Sequence, residues 1–389
     1  MIRFGCKMIV ACALAVFAAT PLVAEEPSSD PVNELTNKWV DIGALLSTRY
    51  TYSFQRPLDD RIVSRVVDKK DNTFTLDTGS LFFGRDREGE YFGFQLALDF
   101  FDSAQYLGSS DGLLEDSDEF EVREAYLTLD VPFGGITLKA GKFVTLLGYE
   151  VIKTNTNINH NISHSLLFGF AVPFTHTGIL ANIPITDMFS FDIGLVNGWD
   201  NVEDNNPGKT LLAGLGFHPV DEFSMYAAGT FGPEQTRLDE GGAGSTQTRG
   251  VITLNAVFKP IDGTTVVFDS VYGNESRLVP DAVKRADYSA ADWYGLALYA
   301  VQDVSMFTFA LRGEVFYDQI APLARDQFGG QGDRVLIWEI SPTVAIHVFD
   351  HFTFRIEYRH DQASDPIFLQ EDDSDRGWNT IAAEALVYF

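Results

Sequence analysis

Residues 380–389 read Thr380-Ile381-Ala382-Ala383-Glu384-Ala385-Leu386-Val387-Tyr388-Phe389. The stretch alternates. Ile381, Ala383, Ala385, Val387 and Phe389 fall on one face, and Thr380, Ala382, Glu384, Leu386 and Tyr388 on the other. Period two is the signature of a strand, and here one face is apolar throughout. Such a strand suits a closed barrel in a bilayer, where one face meets lipid, the other meets a lumen, and both edges are paired.

The same rhythm recurs upstream. Ile42, Ala44, Leu46, Thr48, Tyr50, Tyr52 and Phe54 alternate with Gly43, Leu45, Ser47, Arg49, Thr51, Ser53 and Gln55. Phe92-Phe94-Leu96-Leu98-Phe100, Phe307-Phe309-Leu311-Gly313-Val315-Tyr317 and Phe352-Phe354-Ile356-Tyr358 form further apolar rows, each opposed by a polar one. About sixteen strands are expected in all, within a range of 14–18. The fold class is an all-β transmembrane antiparallel up-and-down β-barrel. Hydrophobic residues make up 45% of the chain but are spread in alternation, and no stretch has the length of a transmembrane helix.

The links alternate in length. Short ones are expected near 86–90, 132–135, 184–187, 219–222, 259–263, 302–304 and 349–351, rich in turn residues such as Pro132-Phe133-Gly134-Gly135. Long polar ones fall near 56–72, 102–118, 146–173, 200–208, 232–247, 274–288, 319–332 and 361–376. Short turns at one end and long loops at the other are a barrel's asymmetry. A β-sandwich has no reason for it, and a propeller needs blade repeats that are absent here. Trp39, Tyr50, Tyr52, Tyr91, Trp199, Tyr294, Trp338, Tyr358 and Trp378 fall near strand ends, where aromatic girdles or ordinary β-propensity would each place them.

At the N-terminus Arg3 and Lys7 precede an apolar run, Met8 to Ala19, and Pro21-Leu22-Val23-Ala24 ends on a small residue. Residues 1–24 read as a signal peptide, 25–38 as a polar lead and 39–389 as the barrel. Both cysteines, Cys6 and Cys12, lie in the signal, so the mature chain has no disulfide and no Cys-based metal or redox centre. Loss of Arg3 and Lys7 leaves 26 basic against 55 acidic residues, a balance of −29. That argues against nucleic acid as a partner.

Arg123-Glu124-Ala125-Tyr126-Leu127, then Leu138-Lys139-Ala140-Gly141-Lys142-Phe143 and Gly148-Tyr149-Glu150, are similar to the OmpL-like family of beta-barrel porins. So are Asn161-Ile162-Ser163-His164-Ser165 and Pro173-Phe174-Thr175-His176-Thr177-Gly178. The resemblance implies an outer-membrane channel of a Gram-negative-type bacterium and no particular solute. The terminal Phe389 resembles the C-terminal signal that barrel-assembly machinery reads. The other expected partners are outer-membrane lipid, lipopolysaccharide and small hydrophilic solutes. A homotrimer is expected by analogy with general porins.

Charge is costly on the lipid face, about 2–4 kcal/mol for Arg or Lys at the midplane. Arg49, Asp77, Asp99, Glu124, Asp130, Lys139, Arg312, Glu314, Glu339, Arg355, Glu357 and Arg359 are therefore expected to line the pore. They either set selectivity or brace the wall with ion pairs. Lys142 falls on the outward row, so it either snorkels at the rim or follows a bulge at Gly141.

The longest loop, 146–173, carries Asn155, Asn157, Asn159, His160, Asn161, His164 and Ser165, then turns apolar around Phe168. An apolar stretch in an outer loop must bury itself, and the lumen is one place for it. This loop is the candidate constriction; packing over the mouth or on a neighbouring subunit is the alternative. His160, His164 and His176 do not add up to a metal site, since no carboxylate lies between the first two. Asn161, His164 and Ser165 form a poor hydrolase set because adjacent Ser and His rarely reach the needed geometry. Acidic runs at 115–121, 203–204 and 371–375 read as solvated loop faces. The expected function is passive diffusion of small hydrophilic solutes, with no cofactor and no catalysis. A surface adhesin and an outer-membrane hydrolase are the rival readings.

Overall fold

In lipid, every backbone N–H and C=O must find a protein partner, and strands satisfy this only by closing on themselves. The computed structural model shows that closure. It describes residues 40–85, 91–108, 119–234, 248–276, 290–318, 334–370 and 374–389. The segments expected to be signal peptide (1–24) and polar lead (25–38) and the link expected at 86–90 lie outside the described residues, as do parts of several long loops and of the acidic runs.

Sixteen strands form the barrel. They are β1 (Asp41–Ser53), β2 (Thr73–Arg85), β3 (Phe92–Phe100), β4 (Phe120–Asp130), β5 (Thr137–Val144), β6 (Thr175–Pro184), β7 (Phe189–Val196) and β8 (Thr210–Val220). There follow β9 (Phe223–Pro233), β10 (Thr248–Phe258), β11 (Thr264–Ser276), β12 (Ala290–Val304), β13 (Phe307–Asp318), β14 (Val335–Phe349), β15 (Phe352–Ala363) and β18 (Gly377–Tyr388). A two-residue ribbon, β16 (Phe368–Leu369) with β17 (Ser374–Asp375), sits in the last long link. Each barrel strand pairs antiparallel with its sequence neighbour, and β18 closes the seam on β1.

The alternation read from the sequence is the alternation of exposure. Along β13, Phe307, Phe309 and Leu311 are exposed on the outer face, whereas Arg312, Glu314 and Phe316 are buried inside. Local exceptions have local causes. The β14–β15 ladder skips Ser341 and Pro342, because proline has no N–H to donate. The turn expected at 302–304 falls at 305–306, where Ser305 adopts φ +54° and lets β12 run on to Val304. On β2, Asp77 is an extra residue opposite β1, so both Asp77 and Thr78 face inward.

The apolar core lies inside the barrel. Two long links fold inward to build it. The segment between β1 and β2 contributes Ile62, Val66 and Val67, and the segment between β5 and β6 contributes Leu147, Ile152, Leu166, Leu167, Phe168 and Phe170. They pack against wall residues such as Val196, Leu212, Val251, Val271, Trp293 and Phe316.

Candidate functional site: the loop in the lumen

The loop between β5 and β6 leaves the long-loop end of the barrel and reaches the opposite rim. Its tip turns at Thr154–Asn157, where Thr154 N–H donates to Asn157 O (2.8 Å). Asn155 Nδ2 there donates to the Phe389 main-chain carbonyl (2.8 Å). The returning arm ends in a short helix, Leu166–Ala171, capped by Ser165 Oγ accepting from Phe168 N–H (3.0 Å).

Irregular backbone inside a barrel leaves many donors without a ladder partner, and wall carboxylates take them. Glu357 accepts from Ile162 N–H (2.8 Å) and Ser163 N–H (3.0 Å). Glu314 accepts from Leu166 N–H (2.6 Å) and Leu167 N–H (3.2 Å) at the helix start. Glu150, in the loop itself, accepts from Ser165 N–H (2.9 Å) and meets Arg312 (2.8 Å) and His164 Nδ1 (3.0 Å). The guanidiniums take the carbonyls. Arg355 donates to Asn159 O and Asn161 O, and Arg359 to His164 O (2.7 Å). Arg312 donates to Ser163 O (2.7 Å) while holding Glu339 (2.7 Å). Asn161 Nδ2 binds Thr343 Oγ1 (2.7 Å) and Ser341 O (2.9 Å). The apolar side is tied as well, with Trp293 Nε1 donating to Ala171 O (3.1 Å).

Ten of the twelve charged wall residues are buried under this loop and its neighbour: Arg49, Asp77, Asp99, Glu124, Arg312, Glu314, Glu339, Arg355, Glu357 and Arg359. Asp130 and Lys139 are half-buried nearer the short-turn rim. Thr137 donates to Asp130 (2.7 Å), and Lys139 Nζ stands 4.3 Å over the Tyr126 ring. The tip residues Asn155 and Thr156 separate two cavities at that rim. One, of about 620 Å3, includes Lys139, Asn182, Asp192, Gln95 and Tyr126 in its wall. The other, of about 420 Å3, includes His160, Asn159, Asp303, His347 and Arg355.

The three histidines are dispersed. His164 stacks on Phe168 with centroids 4.3 Å apart, His176 lies 3.2 Å from Gly198 O, and His160 faces the smaller cavity. Among the described residues no group of three His, Cys, Asp or Glu is arranged to hold a metal ion. Ser165 Oγ caps the short helix, His164 Nδ1 meets Glu150, and Asn161 Nδ2 binds Thr343 and Ser341. Asn157 is exposed at the tip. Lys142 neither snorkels nor follows a bulge. It is buried against Glu121, the β4–β5 register runs without a shift, and Gly141 adopts φ +133°. Any Cβ at Gly141 would lie 2.2 Å from Ala125 O, so only glycine fits there.

Sequence reasoning missed several partners. Lys153, Glu150, Arg65 and Asp361 complete the buried ion pairs, and the link at 56–72 is not simply polar but inserts Ile62, Val66 and Val67. The apolar pairs flanking Arg65 were the available signal.

A closed sixteen-stranded barrel, apolar outside and crossed by an inward loop, defines an outer-membrane porin-type protein. The profile of the family described as "Putative beta-barrel porin-2, OmpL-like" matches residues 39–389, and the chain belongs to that family. Its fold is similar to that of OmpF of Salmonella typhi in complex with daunomycin (TM-score 0.59, 12% identity, covering 90% of this chain and 97% of that one). It is also similar to the outer membrane channel DcaP of Acinetobacter baumannii (TM-score 0.57, 14% identity, 90% and 97% covered). A third likeness is to Pseudomonas putida OprB at high pH (TM-score 0.56, 11% identity, 92% and 96% covered). No curated protein matches the sequence. Porin, β-barrel and outer membrane are thus the terms that describe the chain.

Proposed function

We propose that the chain is a non-enzymatic porin that passes small hydrophilic solutes or ions by passive diffusion, with residues 146–173 as the restriction in its lumen. The observation that carries this is the loop's continuous bonding to β13, β14 and β15 with its tip at the far rim. Asp130 and Lys139 are half-buried near that rim, and Lys139 stands in the wall of the larger cavity. Planar-bilayer recording of the refolded protein tests the reading. Deleting 155–165 should raise the single-channel conductance; an unchanged conductance would sink the constriction role.

The balance of −29 left once residues 1–24 are removed favours cations at the mouth. Export by a signal peptide cut after Ala24 is checked by the N-terminal residue of the membrane-extracted protein, Glu25 being expected. Recognition of Phe389 by the barrel-assembly machinery predicts poor insertion of a chain lacking it. A homotrimer is the proposed assembly, and a monomer mass in mild detergent would contradict it.

A further inference from the structure

A barrel built from one chain has a single seam where first and last strands meet, and here only β1 separates β2 from β18. Asp77 on β2 and Glu384 on β18 are both buried and face inward on either side of β1. Each already has a guanidinium. Arg49 of β1 lies 2.6 Å from Asp77 and sits directly opposite Glu384 in the register, while Arg355 of β15 binds Glu384. The loop adds a fifth charge. Lys153 Nζ reaches Asp77 Oδ2 (3.0 Å) and Glu384 Oε1 (2.6 Å) together, with its side chain 4% exposed. Its own carbonyl accepts from Arg123 of β4 (2.9 Å). Two residues on, Asn155 Nδ2 binds the Phe389 carbonyl, which also accepts from Ala44 N–H of β1 (3.2 Å). Asn155 lies so close over Gly43 that a Cβ there would be 2.2 Å from its Nδ2.

From this we infer that the inward loop has a second function independent of conduction: Lys153 and Asn155 clamp the β1–β18 seam from inside, so that loop insertion and barrel closure stabilise each other. A loop that only narrowed a pore would need contacts anywhere on the wall. This one places its buried ammonium across the one junction not made by a hairpin. Removing one partner of a buried ionic cluster leaves the remaining charges uncompensated, so the effect should be concentrated at the seam.

The test is site-resolved amide hydrogen exchange on the full refolded chain in detergent, comparing the seam with β8–β9 across the barrel. Lys153→Met keeps the stem and removes the charge. It should speed exchange at Thr48, Tyr50, Ala383 and Ala385 by about tenfold or more, with Leu212 and Ala228 unchanged, and Lys153→Arg should restore protection. Equal acceleration on both sides, or a change confined to 146–173, would overturn the clamp. If Lys153→Met does not fold, Asn155→Ala removes only the tip contact: faster exchange at Ala44 and Phe389 is expected, and wild-type exchange there would overturn it. Conductance does not enter this readout, so a silent barrel would leave the outcome intact.

Discussion

Glu314 shows how a wall carboxylate is used. It sits on β13 where alternation alone places a charge inward, and it takes two successive amide N–H groups from the helix start. Replacing it by alanine orphans both donors. The expected loss is about 1–3 kcal/mol per buried unsatisfied donor, measured by urea unfolding in detergent. Asp200 gives a pH dependence. It lies in the link between β7 and β8 and accepts from Phe174 N–H (2.7 Å) and Thr175 N–H (2.8 Å), the foot of the inward loop. Burial pushes its carboxyl up to about 7, against the pull of those N–H groups and of Lys142 and Arg249. The folded state therefore keeps a proton that the unfolded chain releases near the ordinary carboxylate value. Stability from this group is present at low pH and is lost as pH rises from about 4 through about 7. Asp200→Asn should flatten that part of the stability–pH curve; an unchanged slope between pH 5 and 8 would show that Asp200 does not carry it. The inward direction of Arg355, Glu357 and Arg359 was legible from period two. Their partners were not, because Asn159, Asn161, Ser163 and His164 lie in a segment with no period to read.

At the scale of elements, strands were the easy part. Apolar rows such as Phe307-Phe309-Leu311 are fixed by contact with lipid, a demand each strand meets locally, so they show in one strand's sequence. Loops answer to distant wall residues. The Asn-rich then apolar reading of 146–173 pointed to burial, yet nothing in it fixed the depth, which is set by Glu314, Glu357 and the Phe389 carbonyl. The second inward segment was missed because its apolar pairs are interrupted by Arg65 and Asp68, which pair with each other (3.2 Å) once buried. Docking of the main loop depends on its apolar side. Phe168 is 4% exposed and packs on His164 and Phe174. Phe168→Ala should weaken docking by about 3–5 kcal/mol, the usual cost of emptying a buried ring site. Limited proteolysis reads this directly: the variant is expected to be cut within 146–173 under conditions where the parent chain resists, and equal resistance would assign docking to the polar contacts alone.

The molecule as a whole is a barrel whose interior is occupied by its own loops. Closure satisfies the backbone, the outer rows suit lipid, and the inner charges are matched both by one another across the wall and by chain folded into the lumen. Family membership makes it an OmpL-like porin, and the rim cavities beside Asn155 are where a path for solute would open. The most direct measurement is single-channel recording of the tagless, refolded protein in a planar bilayer under a salt gradient. The account predicts small, stable conductance steps that grow when 155–165 are deleted, with a reversal potential of the cation-preferring sign. Silence from protein shown to be folded and inserted, persisting after that deletion, would contradict it.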